Sequence, residues 1–187
     1  MMQLTFASKV TIGRIVLVPF FIVTLLYYTS ERDFLRFVAL GLFLVAVITD
    51  FIDGYIARTL HQKTKTGAIL DPLADKILLI SAFICLYKMR IYFDVIQFPL
   101  WLVIPLIGRE IVLILGAMTI QMTTGNFVIE ADFLGKATLF FQIICILGML
   151  LQVQASSLVW LMTLVVSAVS GVLYIREGIR VIHGSVY

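Results

Sequence analysis

Charged residues are scarce in this chain: 14 basic and 11 acidic side chains among 187 residues make up 13%, where a soluble domain carries about 25%. Hydrophobic residues reach 61% and the mean hydropathy is +1.09. These values exclude an ordinary soluble domain and predict an all-α integral membrane protein. Cysteine is almost absent. Cys85 and Cys145 both sit inside apolar runs, which excludes a disulfide framework or a zinc site and leaves them as small buried hydrophobes. The two histidines, His61 and His183, have no ligand-type spacing and read as solvated loop residues. The net charge of +3 is small and spread along the sequence, so it excludes nucleic acid as a partner and suits contact with anionic lipid. Proline is rare as well: Pro19 and Pro105 interrupt apolar runs, and Pro72 is expected near a helix start. The run that follows Lys9 and Arg14 has no small-residue cleavage site after it, so it reads as a membrane helix rather than a removable signal.

What the sequence has in abundance is long apolar runs. A helical span needs about 20 mostly apolar residues, and runs of this kind predict six transmembrane helices near 10–28, 34–58, 67–88, 95–121, 134–153 and 156–181. Residues 1–9 are then a short juxtamembrane segment, and 1–187 reads as a single membrane domain. Short loops at 29–33, 89–94 and 154–155 make consecutive helices antiparallel neighbours. With the amino terminus inside, the cytoplasmic side carries Lys9, Arg14, Arg58, Lys63, Lys65, Lys136, Arg176 and Arg180, and the opposite side carries Arg32, Arg36, Lys88 and Arg90. This excess predicts that both termini are cytoplasmic.

Against that background four carboxylates stand out. Asp50 and Asp53 are three residues apart near the end of the second span, and Asp71 and Asp75 are four apart near the start of the third. An acidic side chain at the centre of a bilayer helix costs roughly 2.5–3.5 kcal/mol on insertion scales, so four unpaired ones would cost about 10 kcal/mol. A single Asp of this kind is as readily an ion pair with Lys76 or Arg58, or protonated polar glue between helices. Four of them, with Gly54, Ala57 and Gly67 interleaved, point instead to bound cations. Each pair shares a helix face, and a connection around 59–66 brings the two helices back as a hairpin. Oxygen-only ligands suit Mg²⁺ or Mn²⁺, and four negative charges balance two divalent ions, the clamp used for in-line displacement at phosphorus. The small residues let a ligand approach the helix backbone, and Arg58 is placed to pair with a phosphate. Lys76 reads as a structural counter-ion or a snorkelling cation.

In order, Asp50-x-x-Asp53-Gly54-x-x-Ala57-Arg58, then Gly67, Asp71 and Asp75, resembles the signature of the CDP-alcohol phosphotransferases, with every fixed position filled. The resemblance continues through Thr11-Ile-Gly-Arg14, Gly108-Arg109-Glu110 and Gly135-Lys136 and covers most of residues 8–150. It implies transfer of a substituted phosphoryl group from a CDP-linked donor to an alcohol, with release of CMP. By that likeness Asp50, Asp53, Asp71 and Asp75 hold two divalent cations, Mg or Mn, and Asp75 is the catalytic base. Asp53, Gly54, Ala57, Arg58 and Gly67 would bind the CDP moiety, and a diacylglycerol donor would explain why the site lies in a membrane protein.

In length, in the Thr-x-x-Arg element and in Gly108-Arg109-Glu110-Ile111, the chain is similar to the bacterial phosphatidylglycerophosphate synthases. That likeness implies CDP-diacylglycerol and glycerol 3-phosphate as substrates, with Arg109 and Lys136 binding the acceptor phosphate. A buried guanidinium also needs an anion on physical grounds; an ion pair with Glu110 is the structural alternative for Arg109, and a cytoplasmic flank charge is that for Lys136. Two departures are visible: Gly116 and Ala117 stand where such synthases often carry a second arginine, and Ser8 stands where they usually have Asn. These keep a cardiolipin synthase, with phosphatidylglycerol as acceptor, as the alternative. The resemblance further implies a homodimer in a bacterial inner membrane, with the active site facing the cytoplasm.

Two other classes also use intramembrane acids. Prenyl transferases pair aspartate motifs around metal–diphosphate but lack the Gly54–Ala57–Arg58 arrangement. An intramembrane cation transporter needs acids along a whole crossing, and here they cluster at one end. Tyr27, Tyr28, Tyr87, Tyr92, Trp101 and Trp160 read as interface or packing residues, and Gly171 and Gly178 as points of close helix approach.

Overall fold

The computed structural model describes residues 6–59, 65–93, 95–124 and 133–184, with the side chains of 6–12, 14–15, 53–75, 121, 123–124 and 182–184 outside that description. Among the described residues all regular structure is helical: α1 (Phe6–Leu26), α2 (Phe34–Thr59), α3 (Lys65–Lys88), α4 (Leu100–Thr124), α5 (Phe133–Leu150) and α6 (Ser157–Gly184). These helices coincide with the six apolar runs, their ends differing by at most five residues. Among the described residues four stretches are long and apolar enough to cross a membrane, Phe34–Ile52, Leu100–Ile120, Phe133–Leu150 and Gln154–Val181, and Val16–Leu26 is a shorter apolar stretch. The helices present bulky apolar side chains outward, among them Phe20, Phe51, Leu115, Phe140, Leu158 and Leu161, as a lipid-facing surface requires. Six hydroxyls on these helices are satisfied locally: Thr24, Thr49, Ser81, Thr119, Thr138 and Thr163 each donate to a carbonyl one turn back, which removes their need for water.

The chain folds as two compact units, Met1–Asp94 and Val95–Tyr187. In the first, α1 packs against both α2 and α3. Its core repeats at helical spacing: Val18, Phe21 and Leu25 on α1, Ala39, Phe43 and Ala46 on α2, and Leu79, Ala82 and Leu86 on α3 are all buried. The rings of Phe21 and Phe43 meet at 5.8 Å. One end of this unit is closed by Tyr28, which stacks on Phe93 at 5.2 Å and donates its hydroxyl to Asp33 Oδ1 at 3.1 Å. Arg36 Nη2 donates to the other oxygen of Asp33 at 2.8 Å. Pro72, expected near a helix start, is the eighth of the 24 residues of α3, a position at which proline cannot donate the i→i−4 bond.

In the second unit α6 packs against both α4 and α5. The facing pairs Thr138–Val166, Cys145–Thr163 and Gly148–Ser156 run in opposite sequence directions, so α5 and α6 are antiparallel. Those along α4 and α6, Arg109–Ser170, Gly116–Tyr174 and Ile120–Gly178, run the same way, so these two helices are parallel. Large residues on each helix lie over glycines on the other. A Cβ added at Gly116 would sit 2.9 Å from Tyr174 Cε1, one at Gly171 3.5 Å from Arg109 Cγ, and one at Gly178 3.4 Å from Ile120 Cδ1. Glycine lets the backbones approach, and the opposing side chains fill the space.

The end of α5 explains why α4 starts at Leu100 rather than near 95. Val153 N donates to Gly148 O at 2.9 Å and Gln152 N to Met149 O at 3.1 Å, a Schellman closure that puts Gln152 in the left-handed region at φ 55°. Glycine normally fills that position; here the glutamine side chain compensates. Its Oε1 accepts from Val95 N at 3.1 Å and Ile96 N at 3.2 Å, and its Nε2 donates to Ile96 O at 3.2 Å and Met149 O at 2.8 Å. The backbone of 95–96 is thereby satisfied by a side chain instead of a helix. Pro99 then precedes the first helical residue, and Leu102 N and Val103 N donate back to the Pro99 carbonyl. The turn into α6 is tight enough that a Cβ at Gly148 would fall on Ser156 Cβ.

Candidate active site

The aspartate region is carried by two uninterrupted helices. α2 runs through Asp50 and Asp53 to Thr59, and α3 starts at Lys65 and runs through Asp71 and Asp75. Asp53 lies six residues before the end of α2 and Asp71 six after the start of α3, roughly 9 Å along each axis from the connection at 1.5 Å per residue. Asp50 and Asp75 lie nine and ten residues away, about 14–15 Å in. The two pairs therefore sit at matching depths from the same connection.

Helix register adds a second constraint. Ala39, Phe43 and Ala46 are buried at alternating four- and three-residue spacing, and the same alternation continues to Asp50, Asp53 and Ala57. On α3, stepping back from Leu86, Ala82 and Leu79 gives Asp75. By sequence spacing Asp50, Asp53 and Asp75 fall on continuations of these stripes and Asp71 lies one residue off; both helices pack against α1. Asp50 is half-buried, as is Lys76. The side chains of Asp53, Gly54, Ala57, Arg58, Gly67, Asp71 and Asp75 lie outside the described residues, as do those of Thr11 and Arg14 on α1 and of His61 and His183. As a donor set, four carboxylates offer only hard oxygen ligands, which fits Mg²⁺ or Mn²⁺ and not a soft metal.

The second unit holds a polar cluster within apolar helices. Arg109 Nη1 pairs with Glu110 Oε1 at 2.7 Å, and Arg109 Nη2 donates to Ser170 Oγ at 2.8 Å. Gln142 Nε2 donates to the same Glu110 oxygen at 2.9 Å. Glu110 and Gln142 are fully buried, and the Arg109 side chain is 9% exposed. Buried and without a partner among the described residues are Arg109 Nε, Gln142 Oε1 and Ser167 Oγ. The ion pair with Glu110, the alternative foreseen for Arg109, is therefore formed, and one guanidinium nitrogen, Nε, has no partner among the described residues. Lys136, in the first turn of α5, is exposed and makes no ion pair with a described residue; it stays outside the cluster. Sequence reading missed Gln142 and Ser170. The available signal was that Gln142 is the one amide in the run 137–151.

The chain belongs to the CDP-alcohol phosphatidyltransferase family, whose sequence profile it matches over residues 4–172. It is 35% identical over 154 residues to the CDP-diacylglycerol–glycerol-3-phosphate 3-phosphatidyltransferase of Bacillus subtilis (strain 168), covering 78% of this chain and 76% of that one. It is 32% identical over 184 residues to a probable phosphatidylglycerophosphate synthase of Mycobacterium tuberculosis (strain ATCC 25618 / H37Rv), covering 95% and 83%. A cardiolipin synthase (CMP-forming) of Oryza sativa subsp. japonica is 37% identical over 112 residues, covering 58% of this chain and 33% of the plant protein.

Proposed function

We propose that this chain makes phosphatidylglycerophosphate, transferring the phosphatidyl group of CDP-diacylglycerol to glycerol 3-phosphate and releasing CMP. The observation that supports this reading is the spacing of the two Asp pairs along α2 and α3, six to ten residues from the helix ends that their connection joins, in a chain whose long matches include relatives named for that reaction. In the reaction the acceptor hydroxyl oxygen bonds to the phosphatidyl phosphorus, the bond to the CMP phosphate breaks, and CMP leaves. Asp75 takes the hydroxyl proton, because an alcohol is a poor nucleophile until a positioned base accepts its proton. Asp50, Asp53, Asp71 and Asp75 would hold two divalent cations, Mg²⁺ or Mn²⁺, which supply positive charge for the diphosphate and the departing CMP. Asp53, Gly54, Ala57, Arg58 and Gly67 bind the CDP moiety: the small residues admit the nucleotide close to the helix, and Arg58 pairs with phosphate. Arg109 and Lys136 bind the phosphate of the acceptor.

We place all six helices across the bacterial inner membrane as one catalytic membrane domain, with both termini and the active site on the cytoplasmic side, and expect a homodimer. The family profile spanning both units and the excess of basic residues on the assigned cytoplasmic ends support this arrangement. A second reading, cardiolipin synthesis with phosphatidylglycerol as acceptor, is favoured by one feature. At position 116 the space for a further cation is taken by the Tyr174 ring, 2.9 Å from an added Cβ. Purified protein is supplied with labelled CDP-diacylglycerol and, in turn, glycerol 3-phosphate, phosphatidylglycerol and inositol phosphate, and CMP is measured. Fastest release with glycerol 3-phosphate is expected; preference for phosphatidylglycerol selects the second reading, and no release with any acceptor leaves a cation transporter.

A further inference from the structure

We propose that Gln142 is a positioning residue for the acceptor anion: it fixes Glu110, which in turn holds the Arg109 guanidinium with its Nε–H left for a phosphate oxygen. This rests on the reading of Arg109 as an acceptor-phosphate ligand. Three observations carry it. Glu110 Oε1 receives both the Arg109 Nη1 bond at 2.7 Å and the Gln142 Nε2 bond at 2.9 Å, so the amide sets where that oxygen, and the guanidinium on it, can lie. Ser170 Oγ takes Nη2 from the other side at 2.8 Å, and the arginine stem runs along Gly171. Nε is nevertheless buried and unpartnered among the described residues.

An arginine whose only task was to neutralise a carboxylate would present two parallel N–H bonds to it. Here the two terminal nitrogens are split between Glu110 and Ser170, and the third nitrogen is kept unsatisfied in a dry setting, a costly state for a charged donor. An anionic oxygen of a phosphorylated alcohol is the group that satisfies it, through a charge-assisted bond from the Nε–H. Glu110 offsets the arginine charge while no anion is bound.

The test uses the purified full chain in lipid–detergent micelles and reads KM for each substrate from CMP release. In Gln142→Leu, KM for glycerol 3-phosphate is expected to rise about tenfold with KM for CDP-diacylglycerol unchanged, and to add nothing in an Arg109→Ala background. Equal rises in both KM values, or additive effects in the double variant, overturn the positioning role in favour of a structural one. If Arg109→Ala raises the acceptor KM and Gln142→Leu does not, positioning alone fails. An acceptor KM unmoved by Arg109→Ala sinks the acceptor-phosphate reading itself, and this inference with it. Should Gln142→Leu not fold, Ser170→Ala, which frees the other nitrogen, is expected to raise the acceptor KM several-fold; no change there overturns the proposal.

Discussion

Replacing Gln152 tests whether a side chain, rather than glycine, holds the junction between α5 and the segment leading into α4. The residue sits at φ 55°, a conformation that costs a non-glycine residue roughly 1–2 kcal/mol. Four side-chain hydrogen bonds to Val95, Ile96 and Met149 offset that cost, each with a net worth of about 0.5–1.5 kcal/mol. Gln152→Ala keeps the unfavourable backbone and loses all four, so a loss of about 2–4 kcal/mol is expected, at the lower end because Val95 is exposed. Gln152→Gly loses the same bonds but relieves the backbone, and should fall short of the wild type by about 1 kcal/mol less than alanine does. The two free cysteines make the measurement specific: Cys145 is buried in the second unit and Cys85 in the first. In a Cys85→Ser background a thiol-reactive fluorophore reports unmasking of Cys145 alone as sodium dodecyl sulfate is titrated in. A Gln152→Gly variant as stable as the wild type, or an alanine variant indistinguishable from it, refutes the compensation.

Four further outcomes are expected. Asp75→Asn should retain CDP-diacylglycerol binding but lose on the order of 10²–10⁴-fold in CMP release, the usual contribution of a general base; undiminished turnover removes the assignment. Chelation of divalent ions should stop turnover and added Mg²⁺ or Mn²⁺ should restore it, measured by the same release assay. Gly148→Ala brings a methyl onto Ser156 and should destabilise by about 1–3 kcal/mol. Gly116→Val should destabilise the α4–α6 seam by about 1–3 kcal/mol, with partial recovery when Tyr174→Leu removes the opposing ring.

Hydropathy located the helices well because a membrane span is a one-dimensional property: length and apolar content suffice, and Phe34, Lys88 and Phe133 bound their helices within a residue of expectation. The start of α4 was not legible, since the cue that unwinds 95–99 is a glutamine more than 50 residues later. The aspartates were legible as a group because spacing alone puts each pair on one helix face. Their agreement in depth emerged only with the true ends of α2 and α3. Arg109 and Glu110 were visible as isolated charges, but their partners Gln142 and Ser170 depend on how each helix is rotated about its axis, which apolar periodicity does not encode when nearly every position is apolar. The parallel pairing of α4 with α6 was hidden for the same reason.

That pairing has a consequence for biogenesis. α4 and α6 lie side by side although a whole helix separates them in the chain, so a polypeptide entering the bilayer in order delivers Arg109 before Gln142 and Ser170 have been synthesised. In that interval Glu110, the adjoining residue, supplies the counter-charge, and the nascent helix enters lipid carrying an internal zwitterion rather than a bare cation. Completion of the polar cluster then awaits α6, which brings Ser170 to the second guanidinium nitrogen.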